Sequence, residues 1–154
     1  MSQNQNQFAQ TAEKGQMDLR FNSNIISGKI DVTELATLIP GQAVKLVDNS
    51  ERVPSVIACA LDADDVFGFL LYDIKKSEMV AGDRVEIAAM RDNVMYMEAS
   101  AAIAKGAEVA IVVASKKVVT AVFGDRIIGR AFDKASGDGV LVRVIIDLPG
   151  ALKA

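Results

Sequence analysis

The sequence predicts a mainly β protein: a small β-barrel or β-tulip head with one short helix and an extended N-terminal arm. Of the 154 residues, 51% are hydrophobic but only 5% are aromatic, so most of the apolar content is Val, Ile, Ala and Leu. The β-branched residues among these favour strands. From Ile25 onward, short apolar stretches alternate with turn residues. This spacing is typical of a barrel or sandwich rather than of a parallel α/β sheet.

The chain divides into an arm of residues 1–24 and a head of residues 25–154. Gln and Asn dominate the arm, in which Phe8, Leu19 and Phe21 are isolated apolar residues. Two interpretations are open: a terminus that does not fold, or an arm that becomes ordered on a partner. Polar and apolar residues alternate towards the end of the arm, which favours a strand wherever a sheet edge is available.

Ten segments of the head have the composition of strands, and turn residues such as Pro40-Gly41 and Gly124-Asp125 separate them. A head of this size buries enough surface to fold without a disulfide or a metal. The predicted strands are 25–30, 43–48, 55–61, 66–73, 84–89, 94–98, 108–113, 117–122, 126–132 and 140–147.

A short glycine-led pattern recurs along the head. Gly41, Gly82, Gly106 and Gly137 each begin a Gly-x-x-Val-x-apolar sequence, which reads as a turn glycine followed by an alternating strand. The copies are unevenly spaced, so they indicate shared turn chemistry rather than a repeat protein. The Ala-rich residues 98–105, followed by Gly106, predict the short helix.

The composition argues against an enzyme. Histidine, the commonest general base and metal ligand, is absent. The single cysteine, Cys59, lies in an apolar run, where the role of a small buried hydrophobic residue is expected rather than that of a nucleophile. Neither a phosphate-binding loop nor a dinucleotide-binding glycine motif is present. We therefore expect no cofactor and no metal.

Four aspartates leave one enzymatic alternative open, a hydrolase that uses only carboxylates. Two of Asp62, Asp64, Asp65 and Asp83 would have to converge at about 5–9.5 Å across a cleft. The first three could also offer oxygen ligands to Ca²⁺, but the spacing of an EF-hand loop is missing. A solvent-exposed turn between two strands is the simpler interpretation.

Met95 and Met97 share one face of a predicted strand. Methionine fills irregular gaps in a core, and it also adapts to the surfaces of partner proteins. The pair therefore predicts either core packing or part of an interface in an oligomer.

Charge and terminal sequence limit the partners. The net charge of −3 argues against a nucleic-acid-binding surface, which requires clustered Lys and Arg. No apolar stretch approaches the ~20 residues of a membrane-spanning helix. The first residues lack the basic and apolar regions of a signal peptide. We expect no nucleic acid and no membrane as partners.

The order of segments between residues 40 and 147 is similar to that of a known family. The segments are the Pro-Gly turn and strand at 40–44, Val-Pro-Ser-Val-Ile-Ala at 53–58, the strand at 64–72, Ala-Gly-Asp-Arg-Val-Glu-Ile at 81–87, the strand at 94–99 and the Ala-rich run at 101–106. In this order they resemble the tailed-phage capsid decoration (cement) proteins of the small β-barrel type.

That resemblance implies a homotrimer on the outer surface of the virion, at three-fold or quasi-three-fold positions. There it would bind the major capsid protein and stabilise the mature capsid, after synthesis in the host cytoplasm. The arm would reach onto the shell, with Phe8, Leu19, Phe21 and Ile25 as its anchors. The alternative is another virion surface module, such as a head-fibre base or a receptor-binding domain built on the same barrel.

Overall fold

The computed structural model describes residues 13–18, 25–73, 75–89 and 91–154, and these contain ten strands and no helix. All ten predicted strands are confirmed, most of them shortened at their ends. In chain order they are β1 (Ile26–Ile30), β2 (Ala43–Leu46), β3 (Ser55–Ala58), β4 (Gly68–Leu70), β5 (Arg84–Ala88), β6 (Val94–Glu98), β7 (Glu108–Val112), β8 (Lys117–Thr120), β9 (Ile127–Ala131) and β10 (Leu141–Ile146).

The first five strands close into a barrel in the order β1-β3-β2-β4-β5. All neighbours are antiparallel except β1 and β3, which run parallel with Lys29 opposite Ser55. Because side chains alternate across a strand, every second residue points inward. Val44, Leu70 and Ile87 are completely buried inside the barrel.

The last five strands form an antiparallel sheet in the order β6-β10-β9-β7-β8. The register shifts between Val109 and Ala110, and a bulge of this kind increases the local bend of a sheet. The two outer strands of the order, β6 and β8, meet where Ala99 forms a parallel bridge with Val118. The sheet is therefore curled so far that its ends touch.

A second apolar cluster lies between the sheet and the barrel. It joins Met95, Met97 and Ile128 of the sheet to Phe69 and Leu71 at β4 of the barrel. The two β units therefore share a core and form one head. Met95 and Met97 are 0% and 1% exposed, which supports core packing for this pair. Their side chains are covered by their own chain, so a trimer interface would have to be formed by other residues.

The helix predicted over residues 98–105 is wrong. Ile103 instead pairs with Ala135: the Ile103 N–H donates to the Ala135 carbonyl (3.0 Å) and the Ala135 N–H donates back (2.9 Å). Ala99 and Ile103 are both buried. Alanine favours a helix locally, but an extended backbone lets this segment bury both side chains and bond to its neighbours.

Residues 13–18, predicted as part of the arm, belong to the head. Met17 is 6% exposed and forms an antiparallel bridge with Met95 of β6. The Gly15 N–H donates to the Tyr96 carbonyl at 2.7 Å. The prediction that these six residues form part of an arm is therefore wrong. They pack on the head because β6 offers them a sheet edge and because Met17 completes the core beneath it.

The same segment also bonds to the barrel. The Tyr72 N–H donates to the Gly15 carbonyl at 2.9 Å. Gly15 has a φ of +82°, and a Cβ placed on it would lie 2.5 Å from the Gly41 nitrogen and 2.8 Å from the Pro40 Cβ. Gly15 is therefore required both by its backbone conformation and by the close approach of a neighbouring backbone.

Replacing Gly15 by Ala should destabilise the head more than the same change at Gly106. Both glycines have a φ of +82°, but a Cβ at Gly106 would meet nothing within 4 Å. The control therefore carries only the cost of the left-handed conformation, about 1–2 kcal/mol. Forcing a methyl group against Gly41 should cost roughly 1–3 kcal/mol more. Urea unfolding measures the difference, and equal losses in the two variants would contradict this account.

Candidate protein-interaction surfaces

The predicted anchors of the arm are divided by the structure. Phe8, Leu19 and Phe21 lie outside the described residues. Ile25 immediately precedes β1 and is 43% exposed, so its side chain is available for a contact at the surface.

Arg143 fixes the last residue of segment 13–18 to the sheet. Its Nη1 donates to Asp18 Oδ2 at 3.0 Å, and its Nε and Nη2 donate to the two carboxylate oxygens of Asp133 at 2.7 Å each. The guanidinium carbon lies 4.5 Å from the centre of the Phe132 ring. Hydrogen bonding to Arg143 holds the pKa of Asp133 below its ordinary value. Asp18 itself is 5% exposed, so this contact is largely shielded from solvent.

The acidic cluster at 62–65 builds a turn and joins it to the sheet. Asp64 Oδ2 accepts the N–H groups of Ala60 (2.7 Å) and Leu61 (3.0 Å). Asp62 Oδ1 accepts the N–H of Val113 at 2.7 Å. Asp65 Oδ1 lies 3.8 Å from the Nη1 of Arg126, the residue that precedes β9. These contacts agree with the interpretation of the cluster as a turn.

Asp83 and Cys59, the two other residues considered for catalysis, both lie in contacts that serve the fold. Asp83 pairs with Lys76 at 2.7 Å and accepts the N–H of Val80. Cys59 is 4% exposed, and burial raises the pKa of its thiol to about 12, which confirms the predicted buried position. Across the described ranges, no group of three or more His, Cys, Asp or Glu residues is arranged to hold a metal ion.

Large exposed apolar side chains gather at one end of the second sheet. Val122 (64% exposed) and Phe123 (87%) lie in the β8–β9 connection. Leu152 (57%) forms an antiparallel bridge with Arg126. Next to this bridge, the Gly124 N–H donates to the Lys153 carbonyl. We call Val122, Phe123 and Leu152 the sheet tip. This surface is not predicted from the sequence, because an apolar pair at the end of a strand has the pattern of core residues.

A second apolar group lies at one end of the barrel. Val32 (74% exposed) and Leu35 (99%) follow β1, and Val80 (50%) precedes β5. The two loops are joined by paired hydrogen bonds between Leu38 and Met79. Clustered apolar exposure of this kind is typical of protein contact surfaces.

The described part of the chain contains no helix long and apolar enough to cross a membrane.

The fold is shared with a solved phage structure. The chain is similar to the N base of the head fiber gp8.5 of bacteriophage phi29, with a TM-score of 0.53 over 85% of this chain and 100% of that one. The two sequences are 13% identical. This likeness establishes the fold. No family model matches the chain, and comparison with curated proteins found no similar sequence.

Replacing Arg143 by Met should destabilise the head by roughly 1.5–3 kcal/mol, the usual range for hydrogen bonds to charged groups. Arg130→Met is the matched control, because the Arg130 side chain is 65% exposed and lies 3.6 Å from its partner Glu108. We expect that control to change the free energy of unfolding by at most about 0.5 kcal/mol. Urea unfolding at neutral pH measures both, and similar losses would contradict the role given to Arg143.

The contribution of Asp133 should also depend on pH. Its pKa is lowered in the folded state, so the stabilisation is fully present above the ordinary value of about 3.9 and is lost as the pH falls through the lower folded-state value. In Arg143→Met the free energy of unfolding should therefore fall less steeply below about pH 4 than in the wild type.

Proposed function

We propose that this chain is a structural protein of a tailed-phage virion and that it binds the outer surface of the head. The observation that carries the proposal is the fold, which matches the whole of a phage head-fiber base. The order of segments that resembles the decoration proteins supports it independently, because that order comes from the sequence alone. The exposed sheet tip and barrel end supply apolar contact surfaces of the kind that a binding protein requires.

More specifically, we propose that the chain is a decoration protein. Homotrimers would bind the major capsid protein at three-fold or quasi-three-fold positions and stabilise the mature capsid. A ligand that binds the assembled lattice better than its separate subunits stabilises the lattice by mass action. Three weak contacts on one trimer add further affinity, because the second and third contacts form at high effective concentration.

The arm has a specific place in this proposal. Its contacts would come from Phe8, Leu19, Phe21 and Ile25, and a polar segment can add to a sheet edge on the shell through backbone hydrogen bonds. Residues 13–18 are bonded to both β units of the head. A partner bound by residues 1–12 would therefore be connected to the head through residues 13–18.

A head-fiber base is the second candidate, and the structural comparison favours it directly. The two candidates differ in where they lie on the virion and in what their loss does. A decoration protein covers the lattice and strengthens it, whereas a fiber base supports another component and leaves the strength of the shell unchanged.

Electron microscopy of virions, with and without this protein, tests the function. We expect density at the three-fold and quasi-three-fold positions of the head. We also expect heads without the protein to release DNA at a lower temperature. Density only beneath fibers, with unchanged DNA release, would select the fiber base. Absence of the protein from the head would contradict both candidates.

Deleting residues 1–12 should weaken binding to heads without unfolding the protein, because the bonds made by residues 13–18 remain. We expect at least a tenfold loss of affinity, about 1.4 kcal/mol, measured by co-sedimentation with heads that lack the protein. The control replaces residues 1–12 by twelve Gly and Ser residues, which keeps the length and removes the side chains. Unchanged binding by both variants would show that residues 1–12, with Phe8 among them, make no contact.

A further inference from the structure

The sheet tip contains a projecting turn whose backbone is fixed. In this turn the Asp125 N–H donates to the Val122 carbonyl at 3.0 Å, and Asp125 Oδ2 accepts the Val122 N–H at 2.8 Å. The Lys153 N–H also donates to the Asp125 carbonyl at 2.7 Å. Phe123, between them, is 87% exposed. An aromatic side chain on such a backbone loses little conformational entropy when a partner covers it.

An apolar groove of about 560 Å³ lies between the barrel and the segment that follows β10. Leu46 is 51% exposed at the groove, whereas Val66 and Leu148 are 4% and 6% exposed. Phe67 and Pro149 also belong to its lining. The volume and the lining are suited to an aromatic side chain.

Arg126 connects the apolar groove to the sheet tip. Its Nη1 donates to the Gly150 carbonyl at 2.9 Å and lies 3.8 Å from Oδ1 of Asp65, which lines the groove. Arg126 also forms the bridge with Leu152 of the sheet tip. The two features are therefore neighbours on the surface. Because Phe123 is so exposed, it does not fill the groove of its own chain.

The projection and the groove each carry one acid and one base. Asp125 and Lys153 lie beside Phe123, and Lys45 and Asp65 line the groove. The residues that pair with this set add two charges of each sign: Asp64, Glu108, Arg126 and Arg130.

This charge balance favours a second copy of the chain as the occupant. Two chains that each carry a net charge of −3 repel one another. They meet with the least repulsion at a surface where acids and bases are equal in number, and there the acid and base of one copy can face the base and acid of the other. A strongly charged partner finds no excess of opposite charge at this surface.

We propose that Phe123 of one copy inserts into the apolar groove of a second copy. The contact joins two different surfaces of the same chain, and repetition of such a contact around an axis closes a ring. A ring of three is the homotrimer of the proposed function, so the number three rests on that proposal, whereas the contact itself does not. The interface also replaces Met95 and Met97, which are covered by their own chain.

Three variants of the full chain test the contact, each with one exposed apolar residue replaced by Glu. Phe123→Glu removes the projection, Leu46→Glu places a charge at the groove, and the control Leu35→Glu changes a 99% exposed residue at the barrel end. All three positions are exposed, so each variant should unfold near the wild-type temperature. Light scattering after size-exclusion chromatography measures the molar mass. We expect trimers of the wild type and of the control, and monomers of the other two variants.

A mixture of Phe123→Glu with Leu46→Glu tests the pairing itself. The first variant retains the groove and the second retains Phe123, so one intact contact can form between them. At high protein concentration the mixture should contain dimers, which neither variant forms alone. A mixture that stays monomeric, or a Phe123→Glu or Leu46→Glu variant that keeps the wild-type mass, would overturn the inference.

Binding to heads that lack the protein is measured separately. Wild-type trimers that do not bind heads would refute the proposed function and leave the contact between copies standing. A monomeric wild type that binds heads would overturn the contact between copies and leave binding to the head standing.

Discussion

The barrel and the curled sheet each have an apolar face that the other covers, and the core between them is the contact on which the head depends. Phe69, which has the largest fully buried side chain among the described residues, enters it from the barrel, and Met95 and Met97 enter it from the sheet. Complete burial of a side chain of this size contributes about 1.5–3 kcal/mol. Met17 extends the same cluster. Segment 13–18 therefore adds apolar contact as well as hydrogen bonds at the junction.

The strands were predictable from the sequence because their signal is local. Alternation of apolar and polar residues, together with a turn glycine, is sufficient to find a strand such as β5, in which Val85 and Ile87 alternate with charged residues after Gly82. The failure at residues 98–105 has the opposite origin. Alanine propensity is also local, but the backbone of Ile103 bonds to Ala135, thirty-two positions along the chain. The parallel contact of β1 with β3 and the closure of the barrel are likewise set by pairings that no single segment encodes.

The surfaces were less predictable than the strands, since they are assembled from distant segments. Asp18 and Arg143 are 125 positions apart, so nothing near Asp18 indicates that a guanidinium covers it. Met95 and Met97 show the complementary case: spacing correctly placed them on one face, while only the packed structure shows which face is the core.

The bonds that hold segment 13–18 have a mechanical consequence. Gly15 and Asp18 donate to carbonyls of β6, and Gly15 accepts from Tyr72 of the barrel. Hydrogen bonds of an antiparallel pair run across the strands. Tension applied along the strand axis from residue 13 therefore loads these bonds together, in shear, instead of opening them one after another. An arm attached in this way therefore transmits a pull to both the barrel and the curled sheet before it detaches.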